Sequence, residues 1–277
     1  MFFSARARLT DRVLIQLIRN RLDPWLARPD RGAPALAEVR DLAIETRGGT
    51  LPARLYSNEA QDRGDLLVFL HGGGLVSSSL ATHDGVCRRL AGGSGFDVLA
   101  IDYRLAPEQP YPAAHDDAEA ALAFAAETFA PRRLLAGGDS AGGLLAVAAA
   151  RRRAAAGQPL DGLALFYPVL ALDPVADDPR LFRRSRAWMR RQYAANLEGP
   201  VDDLAFPLAA GLPPTFIASG GRDPTRLDAK RLIAGGAPVT HHLEPRATHG
   251  FLNLAAVSSR AAAQADRAIA ALKAAFS

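Results

Sequence analysis

A chain of 277 residues, 49% of them hydrophobic and 22% charged, has the length and composition of one large globular domain with a sizeable core. The net charge of +4 comes from arginines interleaved with acids along the whole chain, so we expect no nucleic-acid partner. A single cysteine, Cys87, excludes an intramolecular disulfide framework. The chain has no long uncharged apolar run and no signal-peptide pattern, which predicts a cytoplasmic protein without stable membrane insertion.

The first predicted element is a helix over residues 10–22. Thr10 or Asp11 can cap its start, and Asp23-Pro24 is predicted to end it, because a helical residue before proline is disfavoured. Its apolar residues recur at helical spacing: Val13, Leu14, Leu17, Ile18 and Leu22. The pattern fits a lid helix over a pocket and equally a packed N-terminal arm, so both interpretations stay open.

A β-hairpin and then alternating strands and helices follow this helix. Val39–Thr46 and Leu51–Tyr56 alternate in polarity around Gly48-Gly49, as in an antiparallel hairpin. Six short apolar runs are predicted as strands: Leu66–Leu70, Val98–Ile101, Leu134–Ala136, Leu163–Phe166, Thr215–Ala218 and Val239–Leu243. Helical patterns accompany them at His83–Ala91, Ala113–Phe129, Ala141–Ala156, Thr225–Ala234 and Leu252–Phe276. The alternation predicts an α/β fold with about eight strands in a mostly parallel, doubly wound sheet.

One long interruption of this alternation covers residues 170–207. It contains a helical stretch near Arg183–Leu197, with Trp188 and Met189 at positions suited to lining a pocket. We interpret it as a second piece of a small helical lid, and an ordinary crossover helix lengthened by loops is the alternative. The predicted organisation is therefore N-terminal lid helices at 1–38 and an α/β domain at 39–277 that carries the insertion.

The motif Gly138-Asp139-Ser140-Ala141-Gly142 joins a predicted strand to a predicted helix. This G-x-S-x-G spacing is typical of a nucleophile elbow, in which a sharp turn exposes the serine hydroxyl at the start of a helix. The glycines let the turn close and a substrate approach. Unpaired N–H groups and the helix dipole at this point favour a developing negative charge, so Ser140 is the candidate nucleophile.

Further candidate residues directly follow other predicted strands, at the edge where ligands bind in a parallel sheet. The run His71-Gly72-Gly73-Gly74 can point several backbone N–H groups at one anion. We therefore expect an oxyanion hole made by the N–H groups of Gly72, Gly73 and Ala141, with His71 as structural support for the loop.

An acid and a histidine follow Ser140 in the chain. Asp223 comes after the strand at 215–218, and His249 comes after the last strand. A serine is a weak nucleophile until a histidine takes its proton, and a carboxylate fixes the tautomer of that histidine. Ser140, Asp223 and His249 are thus the predicted catalytic triad, with Asp228 as the alternative acid. No cluster of histidine, acid and cysteine has metal-ligand spacing, so neither a metal nor another cofactor is expected.

Five motifs in register resemble the hormone-sensitive-lipase-like branch of the α/β-hydrolases, the bacterial family IV carboxylesterases. They are His71–Gly74, Asp102–Glu108, Tyr111–Asp117, Gly138–Gly143 and His249–Phe251, and the resemblance runs from about Leu66 to the C-terminus. It implies an α/β-hydrolase fold with a lid formed by the N-terminal helices and the insertion. It also implies that Asp223 of Asp223-Pro224 is the catalytic acid, that Glu108 supports the oxyanion loop, and that the chain forms a homodimer.

The sequence departs from the family pattern near the acid and in the lid. The segment from Asp223 to Gly236 is about one helical turn short, and Thr225 and Leu227 replace the usual leucine and acid. These departures leave the triad residues in place and affect the part of the family pattern that governs specificity.

The predicted function is hydrolysis of small esters with short to medium acyl chains through an acyl-enzyme. The candidate substrate-lining residues are Leu14, Leu17, Leu75, Trp188 and Met189. An amidase, formamidase or lactonase would use the same triad, so these activities remain alternatives. A non-catalytic small-molecule receptor is the third hypothesis, although such a protein would be expected to lack a triad residue.

Overall fold

An eight-stranded sheet forms the centre of the computed structural model, which describes residues 9–277 except 59–63, 174, 176, 196, 200, 208 and 209. The strands are β1 (Glu38–Thr46), β2 (Gly49–Ser57), β3 (Asp65–Leu70), β4 (Phe96–Ile101), β5 (Leu134–Asp139), β6 (Gly162–Phe166), β7 (Thr215–Gly220) and β8 (Val239–Glu244). Their order is β1-β2-β4-β3-β5-β6-β7-β8, with β2 antiparallel to both of its neighbours and every other pair parallel. This sheet confirms the predicted α/β fold.

Helices cover both faces of the sheet. They are α1 (Leu9–Leu17), α2 (Asp23–Leu26), α3 (Asp84–Ser94), α4 (Ala113–Phe129), α5 (Ala141–Ala155), α6 (Arg180–Tyr193), α7 (Arg226–Ala234) and α8 (Ser259–Ala275). Apolar residues of α3 and α8 share one core cluster, and those of α4, α5, α6 and α7 share the other. Alternate residues of β3 belong to the two clusters, since Leu67 and Phe69 pack in the first and Val68 in the second.

The central strands pack unusually closely where the nucleophile motif lies. A Cβ on Gly138 would come 2.4 Å from the carbonyl oxygen of Leu70, and a Cβ on Gly142 would come 1.9 Å from the same oxygen. Only glycine fits at these two positions. The end of β3 therefore lies directly against the turn from β5 into α5, and the loops after these two strands meet.

The N-terminal helix differs from its prediction in length and in the face it buries. It continues beyond Leu17 through a π-helical turn (Ile18–Leu22) into α2, where Pro24 occupies the first turn and needs no helical N–H partner. Leu14 and Leu17 are 46% and 54% exposed, whereas Ile15 is buried. Large apolar side chains occur on more than one side of the segment, so spacing alone did not identify Ile15 as the buried residue.

The lid insertion and the C-terminal helix also differ in their bounds. The helix predicted near 183–197 is α6, which begins three residues earlier and ends at Tyr193. The helix predicted over 252–276 is a short 3₁₀ turn (Asn253–Ala256) followed by α8. Ser258 caps α8, because its hydroxyl accepts a hydrogen bond from the N–H of Ala261.

Candidate active site

Ser140 occupies the sharp turn between β5 and α5. Its backbone angles are φ 51° and ψ −119°, a region that residues with a side chain rarely adopt. The turn is held by Ser140's own backbone, because its N–H donates to the carbonyl of Phe166 and its carbonyl accepts from the N–H of Val169. The serine hydroxyl therefore projects from a rigid turn at the start of α5.

Ser140, His249 and Asp223 form a continuous chain of short contacts. The Oγ of Ser140 lies 2.8 Å from Nε2 of His249, and Nδ1 of His249 lies 2.7 Å from Oδ2 of Asp223. Asp223 is fully buried, and its Oδ1 accepts a hydrogen bond from the N–H of Thr225 at 2.9 Å. A carboxylate that accepts from Nδ1–H leaves Nε2 free to accept the serine proton.

Asp228, the alternative acid, lies elsewhere. Its Oδ1 is 2.5 Å from Nη2 of Arg186, and its Oδ2 accepts from the N–H of Leu170. Burial raises the pKa of Asp228, although the charge of Arg186 acts in the opposite direction. Arg186 is itself completely buried and also contacts Asp178. Asp228 thus belongs to an ion cluster between α6 and α7 and does not touch His249.

One of the three predicted oxyanion donors, the N–H of Gly72, is wrong. The N–H of Gly72 donates to Oδ1 of Asp139 at 2.7 Å, so this donor is already engaged. Gly73 and Gly74 have φ of 105° and 65° and line the cavity at Ser140. Within the described part of the chain, the N–H groups of Gly73, Gly74 and Ala141 form no hydrogen bond. The available donors are therefore those of Gly73, Gly74 and Ala141.

Gly74 was missed because the sequence does not show where the side chain of Asp139 points. The carboxylate turns back towards the loop after β3 and takes the first glycine's N–H, which moves the free donors one residue along. Burial alone would raise the pKa of Asp139, but the charge and hydrogen bond of His83, together with the N–H of Gly72, lower it. An ionised Asp139 is the better acceptor for Gly72 and fixes the start of the loop.

His71 supports the oxyanion loop from below. Its ring stacks on Tyr103 with centroids 4.2 Å apart, and its Nδ1 lies 2.7 Å from the carbonyl oxygen of Gly72. The hydroxyl of Tyr103 donates to the carbonyl of His71 at 2.7 Å. His71 is buried, as a supporting residue would be.

A cavity of about 430 Å³ opens above Ser140 and His249. Trp188 and Met189 of α6 line it, as do Ile18 and Leu22 of the predicted apolar stripe. Trp25 and Leu26 of α2, which the sequence did not single out, also line it. Leu14 and Leu17 lie outside the lining on the exposed side of α1. Leu75 is also outside it, because its side chain is fully buried beneath the loop.

The described residues hold no metal site and no membrane-spanning helix. They contain no group of three or more histidine, cysteine, aspartate or glutamate side chains arranged to hold a metal ion. None of their helices combines the length and apolarity needed to cross a bilayer. Cys87 is fully buried in α3, and burial raises the pKa of its thiol.

The comparisons with known proteins agree with this geometry. A family model described as alpha/beta hydrolase fold matches residues 67–253, more than half of the chain. Esterase LipI of Mycobacterium tuberculosis is 36% identical over 94% of this chain and 88% of its own length. Carboxylesterase NlhH of the same species is 38% identical over 80% of this chain and 78% of its own length.

Solved structures of esterases superpose over nearly the whole chain. A hyperthermophilic esterase from the archaeon Pyrobaculum calidifontis has a TM-score of 0.78 at 28% identity, with 99% of both chains covered. EstE1, a thermostable carboxylesterase cloned from a metagenomic library, has a TM-score of 0.79 at 30% identity and covers 95% of this chain and 98% of its own. The chain therefore belongs to the α/β-hydrolase fold family, within the hormone-sensitive-lipase-like branch that its five motifs resemble.

Proposed function

We propose that this protein is a serine carboxylesterase that cleaves small esters through an acyl-enzyme. The observation that carries the proposal is the contact chain from Ser140 through His249 to the buried Asp223. A hydroxyl, an imidazole and a carboxylate in this order supply a nucleophile, a general base and a group that orients the base. Relatives of this chain are named esterase, carboxylesterase and carboxylic ester hydrolase, which supports the same chemistry.

In the acylation step, Ser140 Oγ attacks the ester carbonyl carbon while Nε2 of His249 takes the hydroxyl proton. The carbonyl oxygen becomes an oxyanion, which the N–H groups of Gly73, Gly74 and Ala141 stabilise, each by roughly 2.7–4 kcal/mol. Collapse of this intermediate breaks the bond to the alkoxy oxygen. That oxygen takes the proton from His249 and leaves as the alcohol.

In the deacylation step, water replaces the alcohol and attacks the acyl-serine. His249 takes a proton from the water, and a second oxyanion forms in the same place. When the intermediate collapses, His249 returns the proton to Ser140 Oγ and the carboxylic acid leaves. Asp223 stays ionised throughout and stabilises the imidazolium that appears in each step.

The cavity supports short to medium acyl chains. Its volume of about 430 Å³ lies near the lower end of ordinary ligand pockets. Trp25, Trp188 and Met189 supply apolar surface close to the nucleophile. We propose that the N-terminal segment within 1–38 and the insertion within 170–207 form the lid that carries these side chains, although residues 1–8 and several residues of the insertion lie outside the described part.

The proposed nucleophile is tested with Ser140→Ala. We expect hydrolysis of p-nitrophenyl acetate and butyrate to fall by on the order of 10⁴-fold or more, because no other group can form the acyl-enzyme. A fluorophosphonate, which bonds to an activated serine as fluoride leaves, should label the wild type at Ser140 and leave the variant unlabelled. Ser259→Ala, which changes an exposed serine of α8, should behave as the wild type. Undiminished hydrolysis by Ser140→Ala would refute the assignment.

A substrate panel separates the ester from the other bonds that the same triad can cleave. Matched p-nitrophenyl esters and p-nitroanilides share the acyl group and differ only in the leaving atom, and lactones test a cyclic ester bond. We expect the esters to have the highest kcat/KM. A higher kcat/KM for the anilides would make the protein an amidase.

The edge strand β8 is the candidate surface for assembly. We propose a homodimer that forms at the β8 edge of the sheet, because β8 pairs only with β7 among the described strands and Leu243 is 47% exposed on it. Light scattering coupled to size exclusion would give the mass of one chain if this is wrong.

The cytoplasmic location predicted from the sequence also stays a proposal, and cell fractionation tests it.

A further inference from the structure

The Arg19 side chain donates four hydrogen bonds to residues next to the oxyanion loop. It lies in the π-helical turn that follows α1. Its Nε donates to the carbonyl of Val76 at 2.7 Å, and its Nη2 donates to the carbonyl of Ala106 at 2.9 Å. Nη1 and Nη2 also bind the two carboxylate oxygens of Glu108 at 2.7 and 2.9 Å. One guanidinium thus joins its own helical turn to the loop at Val76 and to the segment that contains Ala106 and Glu108.

The segment that Arg19 holds is the continuation of the oxyanion loop. Val76 is two residues beyond Gly74, and the N–H of Val76 donates to the carbonyl of Gly73 at 3.2 Å. The N–H of Ala106 donates to the carbonyl of Leu75 at 2.8 Å. Arg19 and Ala106 therefore hold the loop immediately after its two donors, while Asp139 holds it immediately before them through Gly72.

Glu108 acts on the loop through Arg19. Its carboxylate receives the bidentate pair, so it fixes the plane of the guanidinium and aims Nε at Val76. Burial alone would raise the pKa of Glu108, but the hydrogen bonds and charge of Arg19 lower it. Glu108 is therefore ionised at neutral pH. A planar fork with fixed N–H directions can serve all four acceptors at once, which the single ammonium of a lysine cannot do.

A second contact ties the same helical segment to the same loop. Oδ2 of Asp23, at the start of α2, accepts a hydrogen bond from the N–H of Ser78 at 3.1 Å. Ile18 and Leu22, which flank Arg19, line the cavity. The helix that forms one wall of the cavity is thus fastened to the loop that carries the oxyanion donors.

We propose that Arg19 is a positioning residue for the oxyanion hole, through which the N-terminal helix sets the positions of the Gly73 and Gly74 N–H groups. The proposal rests on the esterase function proposed above. Donors of this kind act on the charge that develops in the transition state, so a displaced loop lowers kcat more than it weakens substrate binding. If Arg19 only tethered the helix, its loss would instead alter the cavity wall and raise KM.

The test compares Arg19→Lys with Arg21→Lys. Both replace an arginine of the same helical turn, and Arg21 is exposed and lies outside the cavity lining. For Arg19→Lys we expect kcat with p-nitrophenyl butyrate to fall by about 10–100-fold and KM to stay within about threefold, since a displacement near 1 Å can have this effect. Arg21→Lys should match the wild type.

A trifluoromethyl ketone supplies the readout that a structural role would not change. Ser140 adds to its carbonyl carbon, His249 takes the proton, and the product is an oxyanion in the hole. Its inhibition constant should rise in Arg19→Lys by the same factor by which kcat falls, with the melting temperature within a few degrees of the Arg21→Lys value. Unchanged inhibition with a raised KM, or equal kinetics for the two variants, would overturn the proposal.

Glu108→Gln keeps the inference testable if Arg19→Lys folds poorly. It preserves the size of the side chain and removes the charge that orients Arg19, so we expect the same paired loss in kcat and inhibitor affinity at smaller amplitude. A normal inhibition constant in a folded Glu108→Gln variant would count against the proposal. A wild type that neither hydrolyses esters nor reacts with a fluorophosphonate would instead refute the proposed function and leave the contacts of Arg19 without a catalytic meaning.

Discussion

At the scale of single residues, the site depends on carboxylates that have the same chemistry and different partners. Asp223 contacts His249, Asp139 takes the N–H of Gly72, and Asp228 contacts Arg186. All three are buried, so burial does not distinguish them. Only the atom that each carboxylate faces decides whether it orients a base, holds a loop or neutralises an arginine.

Asp223→Asn and Asp228→Asn therefore form a matched pair. An asparagine at 223 would leave the fold intact but would favour the wrong tautomer of His249, so we expect kcat to fall by on the order of 10³–10⁴-fold at an unchanged melting temperature. An asparagine at 228 would leave the buried charge of Arg186 less compensated, and we expect a loss of about 3 kcal/mol in the free energy of unfolding.

Steady-state kinetics and urea unfolding of the two variants check this pair. Asp228→Asn should keep kcat within about threefold, because no contact joins it to His249. Exchange of the two phenotypes would make Asp228 the functional acid and contradict the assignment of Asp223.

At the scale of elements, polar contacts fix the walls of the cavity. Asp11 of α1 accepts from Nε1 of Trp188 at 3.1 Å and from Nε2 of Gln192 at 3.0 Å, which joins α1 to α6. Arg186 joins α6 to α7 through Asp228. The positions of Trp188 and Met189 at the cavity therefore follow from charged and polar residues on the same helices.

This dependence explains what the sequence could and could not predict. Each predicted strand is present, since a run such as Leu66–Leu70 is apolar on both faces and has one place in a parallel sheet. The candidate lining residues Leu14 and Leu17 were wrong, and Ile18 and Leu22 of the same apolar stripe were not chosen as lining residues. Large apolar side chains occur on more than one side of this segment, so their spacing does not show which of them face the cavity. The buried side of that segment is set by Asp11 and Arg19, whose partners lie far away in the chain.

Trp188→Ala tests the contribution of α6 to specificity. The ring lies in the cavity lining, 4.0 Å from where a Cβ on Gly74 would be, so its removal lengthens the space beside the acyl carbon. We expect the ratio of kcat/KM for p-nitrophenyl octanoate to that for the acetate to rise by about tenfold. An effect of this size is typical when a hydrophobic pocket gains or loses space for a methylene group. Leu181→Ala, at an 80% exposed position of the same helix, is the control. An unchanged ratio would place the acyl chain elsewhere.

At the scale of the whole molecule, arginines connect elements that are distant in sequence. Arg89 of α3 contacts Asp30 after α2 and Asp266 of α8, Arg133 binds Asp65 at the start of β3, and Arg152 of α5 contacts Asp203 in the insertion. A guanidinium can bind two partners at once, which suits it to such junctions. Part of the positive charge of the chain is thus used in ion pairs within the fold.

Global stability should also depend on one buried histidine between α4 and α6. Nδ1 of His115 lies 2.7 Å from the hydroxyl of Tyr193, and the ring is almost completely buried. Burial lowers its pKa to about 4; the charge of Asp203 acts against this shift, and the charge of Arg152 acts with it. The native state therefore keeps His115 neutral at a pH where the unfolded chain already binds a proton.

The sign of the pH effect follows from this difference in proton binding. The contribution of neutral His115 to the free energy of unfolding is complete above about pH 6.5. It is lost as the pH falls towards 4, by about 3 kcal/mol in total, and His115 causes no further loss below that pH. His115→Gln removes the titration, so its urea unfolding free energy should change less than that of the wild type between pH 7 and pH 4. His242→Gln, on the edge strand β8, should retain the wild-type dependence on His115. Parallel pH curves for the wild type and His115→Gln would mean that this histidine is protonated in the native state as readily as in the unfolded chain.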